Sequence, residues 1–506
     1  MNYNIDTLLT ELRSTIADLG KGGGSISPSV YDTAQVLRLF PPEDPEPALQ
    51  WLLSQQKADG GWGSPETPYA RDVPTLAAVL ALHKYRLMPH AQMARNTGLD
   101  FLQRHASHWV DIPIDELPSA TEMVIPYLIE EAATNGIKLN STAYASVYQL
   151  RKLKLTKLAR IPLKVGLPPT YSWEALGQPV DSLLPDSSGS IGLSPTATAA
   201  WLHQAAQRPD LMEPVSRAKR YLTQATTATG LNLPGVVPHA WPIPGFEIAY
   251  SLYVLLATGL LTEPALQDVV DPIINELWLM MARNHGVGFD DNFTPDVDDT
   301  AVATAVLQAK SRRVDPFAIL QFKNGDHFCT YQHELNPSVL ANAHALYGLA
   351  FTSERYPAAE KFLLERQHKD GRWLADKWHS SWIYTTLEVI LALNQLGYTM
   401  EAAKAIETLL QHQHPNGGWG SGQYPNRTET SYALIILSTL RRAGFLHAKG
   451  AMALQQGYHW LNSNYGPHRK VEEKLWLAKE SYTPYRVDRI YELSALTSIA
   501  IERVSI

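Results

Sequence analysis

DGRWLADKWHSSWIYTTLEVILALNQLG, residues 370–397, is echoed by NGGWGSGQYPNRTETSYALIILSTLRRAG at 416–444. Trp373 and Trp419 stand 46 residues apart, and Gly397 and Gly444 stand 47 apart. Each copy runs from a glycine-bearing turn and a tryptophan into a long apolar pattern that ends at glycine. Such a unit suits a helical hairpin whose apolar face is covered only by its neighbours. A third copy, QQKADGGWG at 55–63, precedes DVPTLAAVLALHKY. Its place in the first half of the chain predicts an all-α protein of two helical (α/α) toroids rather than one open solenoid. In every copy the indole covers a tight turn and its N–H needs an acceptor, so these tryptophans read as staples between helices rather than as catalytic groups.

At 506 residues the chain exceeds one ordinary core, and two domains of roughly 200–250 residues are expected. Apolar residues make up 45% and charged residues 18%, with a net charge of −7 and no long single-sign run. Nucleic acid is therefore not an expected partner, because phosphate binding needs clustered Lys and Arg. The lone Cys329 precludes an internal disulfide and fits a reducing, cytoplasmic setting. The first twenty residues lack a secretion signal's basic start and apolar run. Ile5, Leu8, Leu9, Leu12, Ile16 and Leu19 instead mark one face of a packed helix, which KGGGSISPS (21–29) then breaks. The most apolar stretch, IAYSLYVLLATGLL (248–261), is shorter than the ~20 residues that span a bilayer, so no transmembrane segment is expected.

Chemistry concentrates in DNFTPDVDDTAVATAVLQA (291–309). Asp296, Asp298 and Asp299 precede a good helical run, and one carboxylate there would serve as an N-cap. Three in four positions exceed what a cap needs, and their mutual repulsion lets a proton stay bound. Beside an apolar cavity such a cluster becomes an acid able to protonate a carbon–carbon double bond, with Asp298 as donor and Asp296 and Asp299 holding its geometry. A metal-binding DDxxD is not formed, since Thr294 stands where the third acid of Asp290 and Asp291 would be.

DVDDTA (296–301) resembles the DxDD signature of class II diterpene cyclases and squalene–hopene cyclases, and the three Gln/Gly/Trp turns resemble their QW repeats. SPSVYDTAQV (27–36), TEMVIPYLIEEA (121–132), GSIGLSPTATAA (189–200), NPSVLANAHAL (336–346), DKWHSS (376–381) and KLWLAKESYTPYRVDRI (474–490) are similar, in order, to segments of the copalyl diphosphate synthase group, the last three to its bacterial branch. The resemblance implies a βγ arrangement: residues 1–22 as the first helix of the β domain, 23–265 as an inserted γ domain and 266–506 as the rest of the β domain, carrying DxDD. It implies protonation-initiated cyclisation of a prenyl diphosphate with the diphosphate retained. Geranylgeranyl diphosphate giving a bicyclic copalyl or rearranged product is the leading expectation, and farnesyl diphosphate giving drimenyl diphosphate is the alternative. A downstream class I terpene synthase or phosphatase would take the product.

The resemblance also implies site residues. Lys479 matches a lysine near the diphosphate, with Arg486 two turns along the same expected helix. Magnesium would be held by Asp115, with Asp111 and Glu116 as weaker matches in DIPIDELP (111–118). Asn342 and His344 would support Asp298. Plant ent-copalyl synthases place a histidine in a stretch like LLHSLEG and an asparagine in one like VPNVYP around the water that takes the last proton. Here PTYSWEALG (169–177) puts Trp173 at the first position and VPHAWP (237–242) puts His239 at the second, so His239 is the expected terminal base, with Trp173 shaping the late cation. Three other readings compete: a hopene-type triterpene cyclase, a non-catalytic helical scaffold, and a zinc-dependent protein prenyltransferase using Asp326, Cys329 and His333 of GDHFCTYQH (325–333).

Overall fold

A computed structural model describes residues 4–110, 112, 117–332, 334, 336–374 and 376–504. Apart from two-residue strands in two short hairpins, the regular structure described is helical. Helices Pro244–Thr258, Val297–Ala309, Val339–Phe351, Trp382–Leu396, Arg427–Arg442 and Tyr485–Val504 each pack on the next, and the last returns to the first. This closed ring buries its members on nearly every face, as in Val297–Ala309, where every residue from Val297 to Leu307 is buried. All-round apolarity is what an inner helix of such a ring requires.

A second ring runs through Val30–Leu39, Asp72–Lys84, Thr121–Thr134, the 3₁₀ segment Pro168–Ala175 and Pro195–Ala205, which returns to Val30–Leu39. The N-terminal helix Ile5–Ala17 packs on Tyr485–Val504 and Gln267–Asn284, so the chain starts in one ring, passes through the other and comes back. The return falls earlier than the expected residue 265. Ile243 to Leu255 already belong to the core that contains Leu8, Leu12 and the C-terminal helices, because Pro244–Thr258 is too apolar to be left outside it.

The three Gln/Gly/Trp turns share one geometry. Gln56, Gln367 and Gln413 each donate through Nε2 to the carbonyl of Gly60, Gly371 or Gly417, at 2.8 Å in every case. The same nitrogens reach a second carbonyl on the following helical layer, that of Ala94, Glu401 or Ala453. Those glycines have φ of +91°, +93° and +99°, a region that side chains rarely enter. Trp62, Trp373 and Trp419 then donate their indole N–H to Leu52, Leu363 and Leu409, each at 2.8 Å. Their positions are those of helix staples.

Candidate active site

Between the rings lies a cavity of about 550 Å³. The second ring contributes Met123, Lys154, Tyr171, Leu193 and His239 to its wall. The first contributes an aromatic side that includes Phe289, Phe293, Phe322, Tyr331, Trp378 and Tyr482. The hairpin Trp476–Leu477 and Ser481–Tyr482 wedges between the two rings, and Leu477, Ala478 and Tyr482 face the cavity.

The aspartate cluster sits one residue behind this wall. Pro295 lines the cavity, and Tyr331 Oη, from the aromatic side, donates to Asp296 Oδ2 at 3.3 Å. Asp296 caps the inner helix by accepting from the Asp299 N–H at 2.8 Å. The cap and the carboxyl cluster therefore fall on the same residues. Burial, with the neighbouring Asp298 charge, pushes the Asp296 carboxyl up to about 8, and burial beside both other aspartates pushes Asp299 well above its ordinary value.

Asp298 is not held by its two neighbours as the sequence suggested. Its Oδ1 lies 2.7 Å from Nδ1 of His344, one inner helix away. Burial alone would lower the His344 value, but the hydrogen bond to Asp298 and the nearby Glu388 carboxyl outweigh it and push the imidazole up to about 9. Asp298 keeps 11% of its side chain exposed, against 1% for His344. Asn342, by contrast, does not reach the cluster. Its amide clamps the short strand His327–Phe328, accepting from the Phe328 N–H at 2.8 Å and donating to the carbonyls of Phe328 and Ser338.

His239 lines the cavity and is nearly wholly buried. Burial and then the charges of Lys479 and Lys474 press its imidazole down to about 3. Its Nδ1 is 2.8 Å from Tyr171 Oη, and Nε2 has no partner among the described residues. Tyr171, not Trp173, is thus its companion. Setting Tyr171-Ser172-Trp173-Glu174 against the H-S-L-E of LLHSLEG restores the register, a shift of two residues. Trp173 is not in the cavity wall; it packs in the second ring with Val36, Ile191 and Trp201.

The expected diphosphate cations are placed differently. Lys479 lies at the tip of the hairpin rather than on a helix, fully buried. Its ammonium donates to Glu174 Oε1 at 2.9 Å and Ser194 Oγ at 3.1 Å and sits over the Tyr171 ring. Arg486 starts the next helix, where it binds Glu247 Oε2 at 2.9 Å and the Lys21 carbonyl, and so ties down the 20–25 linker. Neither cation faces the cavity. Lys154 does, paired with Glu122, and sequence reading missed it inside the basic run 151–164. Asp111, Asp115 and Glu116 lie outside the described residues, shortly before Ser119 of the cavity wall.

The zinc reading is not favoured by the geometry. Asp326 is exposed and paired with His327, Cys329 is buried near Asn324, and His333 lies outside the described residues. No group of three His, Cys, Asp or Glu converges among the described residues, and no helix among them is long and apolar enough to cross a membrane.

Residues 333–464 match the squalene-hopene cyclase C-terminal domain. Over 517 residues the chain is 41% identical to (+)-kolavenyl diphosphate synthase of Herpetosiphon aurantiacus, with 99% of each protein covered. It is 31% identical to the type B diterpene cyclase of Mycobacterium tuberculosis, covering 96% of this chain and 98% of that one. Among solved structures, ent-copalyl diphosphate synthase from Streptomyces platensis has a TM-score of 0.79 at 26% identity, covering 98% of this chain and 99% of the other. A closed double ring with an aspartate cluster behind an aromatic cavity, together with these matches, makes the chain a member of the class II terpene cyclases, in their bacterial copalyl diphosphate synthase-like group.

Proposed function

We propose that this enzyme cyclises geranylgeranyl diphosphate to a bicyclic diterpenyl diphosphate, copalyl or rearranged, with Asp298 as the acid. The observation that carries the reading is the buried Asp298–His344 pair behind the aromatic wall of the cavity. The terminal alkene's π electrons take the proton: the Asp298 O–H bond breaks, a C–H bond forms, and the cation left behind is attacked by the next alkene. Aromatic faces from Phe289, Phe293, Trp378 and Tyr482 stabilise the moving charge without reacting. Neutral His239, directly or through a water, takes the final proton, and the diphosphate ester is never broken.

At the polar end Lys154 is the cation placed to meet the diphosphate. Magnesium bound mostly by phosphate and water needs few protein carboxylates, so the segment with Asp111, Asp115 and Glu116 suits it, while Lys154 meets the phosphate oxygens. When bound, the ion neutralises diphosphate charge. The product keeps its leaving group and so suits a class I terpene synthase or a phosphatase, in the cytosol. The test is incubation with geranylgeranyl and farnesyl diphosphates and magnesium, then dephosphorylation and product identification against kolavenol and copalol. A bicyclic C20 alcohol is expected. Release of pyrophosphate, or turnover confined to the C15 substrate or squalene, would overturn the assignment.

A further inference from the structure

Glu388 is a lone acid in the apolar run WIYTTLEVILALNQL, fully buried on the inner helix Trp382–Leu396. Its Oε1 accepts from Tyr491 Oη at 3.0 Å, and its Oε2 accepts from Tyr253 Oη. The same Oε2 stands 3.4 Å from Nε2 of His344, whose Nδ1 is the atom bonded to Asp298. One imidazole therefore bridges two buried carboxyl groups from two other inner helices. Burial pushes the Tyr253 and Tyr491 hydroxyls well up, so both remain donors. Hydrogen bonds donated to a carboxyl group favour its carboxylate form.

We propose that Glu388 is a positioning residue that holds His344 as an imidazolium and thereby keeps the acid proton of Asp298 available to the substrate. The inference rests on the reading of Asp298 as proton donor. A neutral imidazole with a lone pair at Nδ1 would draw the Asp298 proton toward itself across the 2.7 Å contact. An imidazolium has no lone pair. Its Nδ1–H donates to Oδ1, so the transferable proton of Asp298 resides on Oδ2. When that O–H bond breaks and the alkene carbon gains the proton, the new carboxylate already has a charged donor, a contact that strengthens in the transition state. Glu388 supplies the counter-charge that lets the imidazolium exist in this dry interior.

The groups facing the pair are Tyr250 and Tyr253 from Pro244–Thr258, Asp298 from Val297–Ala309, Tyr347 from Val339–Phe351, Tyr384 from its own helix, Tyr432 from Arg427–Arg442 and Tyr491 from Tyr485–Val504. Burial raises each of these phenols, so none of them ionises near neutrality.

Glu388→Gln, Glu388→Asp and Asp298→Asn test the inference when kcat and KM are separated across pH. Glu388→Gln is expected to lower kcat about tenfold or more with KM nearly unchanged, and to move the alkaline limb of kcat toward acid by about one pH unit or more. Glu388→Asp should keep most of the activity and the limb in place, and Glu388→Gln should add nothing in a His344→Ala background. In the wild-type protein, ¹⁵N shifts of the His344 ring, assigned by difference from His344→Ala, should show both nitrogens protonated at neutral pH. That measurement decides the matter even where Glu388→Gln does not fold. A neutral His344 tautomer, or a kcat loss with an unmoved alkaline limb, would overturn the role of Glu388. Activity persisting in Asp298→Asn would instead overturn the donor assignment beneath it.

Discussion

Tyr171 Oη and His239 Nδ1 meet at 2.8 Å in the cavity wall, joining segments 68 residues apart in the chain. For Nε2 to accept a proton, Nδ1 must carry the ring hydrogen and donate to the tyrosine oxygen, so Tyr171 sets the useful tautomer. His239→Ala is expected to leave substrate consumption within roughly tenfold of wild type, since protonation is untouched, while diverting product to hydroxylated or rearranged skeletons. Tyr171→Phe should shift the same products to a smaller extent. An unchanged gas-chromatographic profile in both variants would remove the dyad from the mechanism.

Asp298→Asn keeps shape and removes the acid. Turnover is expected to fall by at least about a hundredfold, with little change in the thermal midpoint. Near-normal cyclisation by this variant would discard Asp298 as donor.

The cluster also sets a pH dependence. Raised carboxyl values mean that the folded protein retains a proton that ordinary aspartates have lost, and the form holding it disappears as pH rises through about 8 for Asp296. The His344 imidazolium is lost next, near 9. Both losses act in the same direction, so kcat should fall on the alkaline side with a slope steeper than one proton. His239, pressed down to about 3, stays neutral throughout, so product ratios should not change between mildly acidic and alkaline buffers. A pH-dependent product ratio would contradict the neutral base.

The two lysines separate binding from stability. Lys154→Ala should raise KM for the diphosphate substrate, and Lys154→Arg should restore much of it. Lys479→Ala strands the buried Glu174 carboxylate and should cost about 3–5 kcal/mol in chemical denaturation, with Lys479→Arg also poorly tolerated in so closed a site. An Lys479→Ala protein of normal stability with a large KM defect would instead return Lys479 to the diphosphate.

What the sequence by itself determined is local. Helical periodicity, the glycine–tryptophan turns and the DVDD run follow from residues within a few turns of one another, so the all-α class, the staples and the acid cluster were all legible. His239 and His344 were also legible, through the segments around them. Only the tertiary structure decided which groups meet. Closure of the rings brings Glu388 to His344 and Tyr253, Tyr171 to His239, and Lys479 to Glu174, pairs that no local pattern records. It also took Asn342, Trp173 and Arg486 out of the roles their positions suggested, giving them a strand clamp, a core position and a linker tie. The physical reason is that a buried polar group takes whichever complementary partner the packed helices bring within about 3 Å, and that choice depends on crossing and closure over the whole ring rather than on neighbours in the chain.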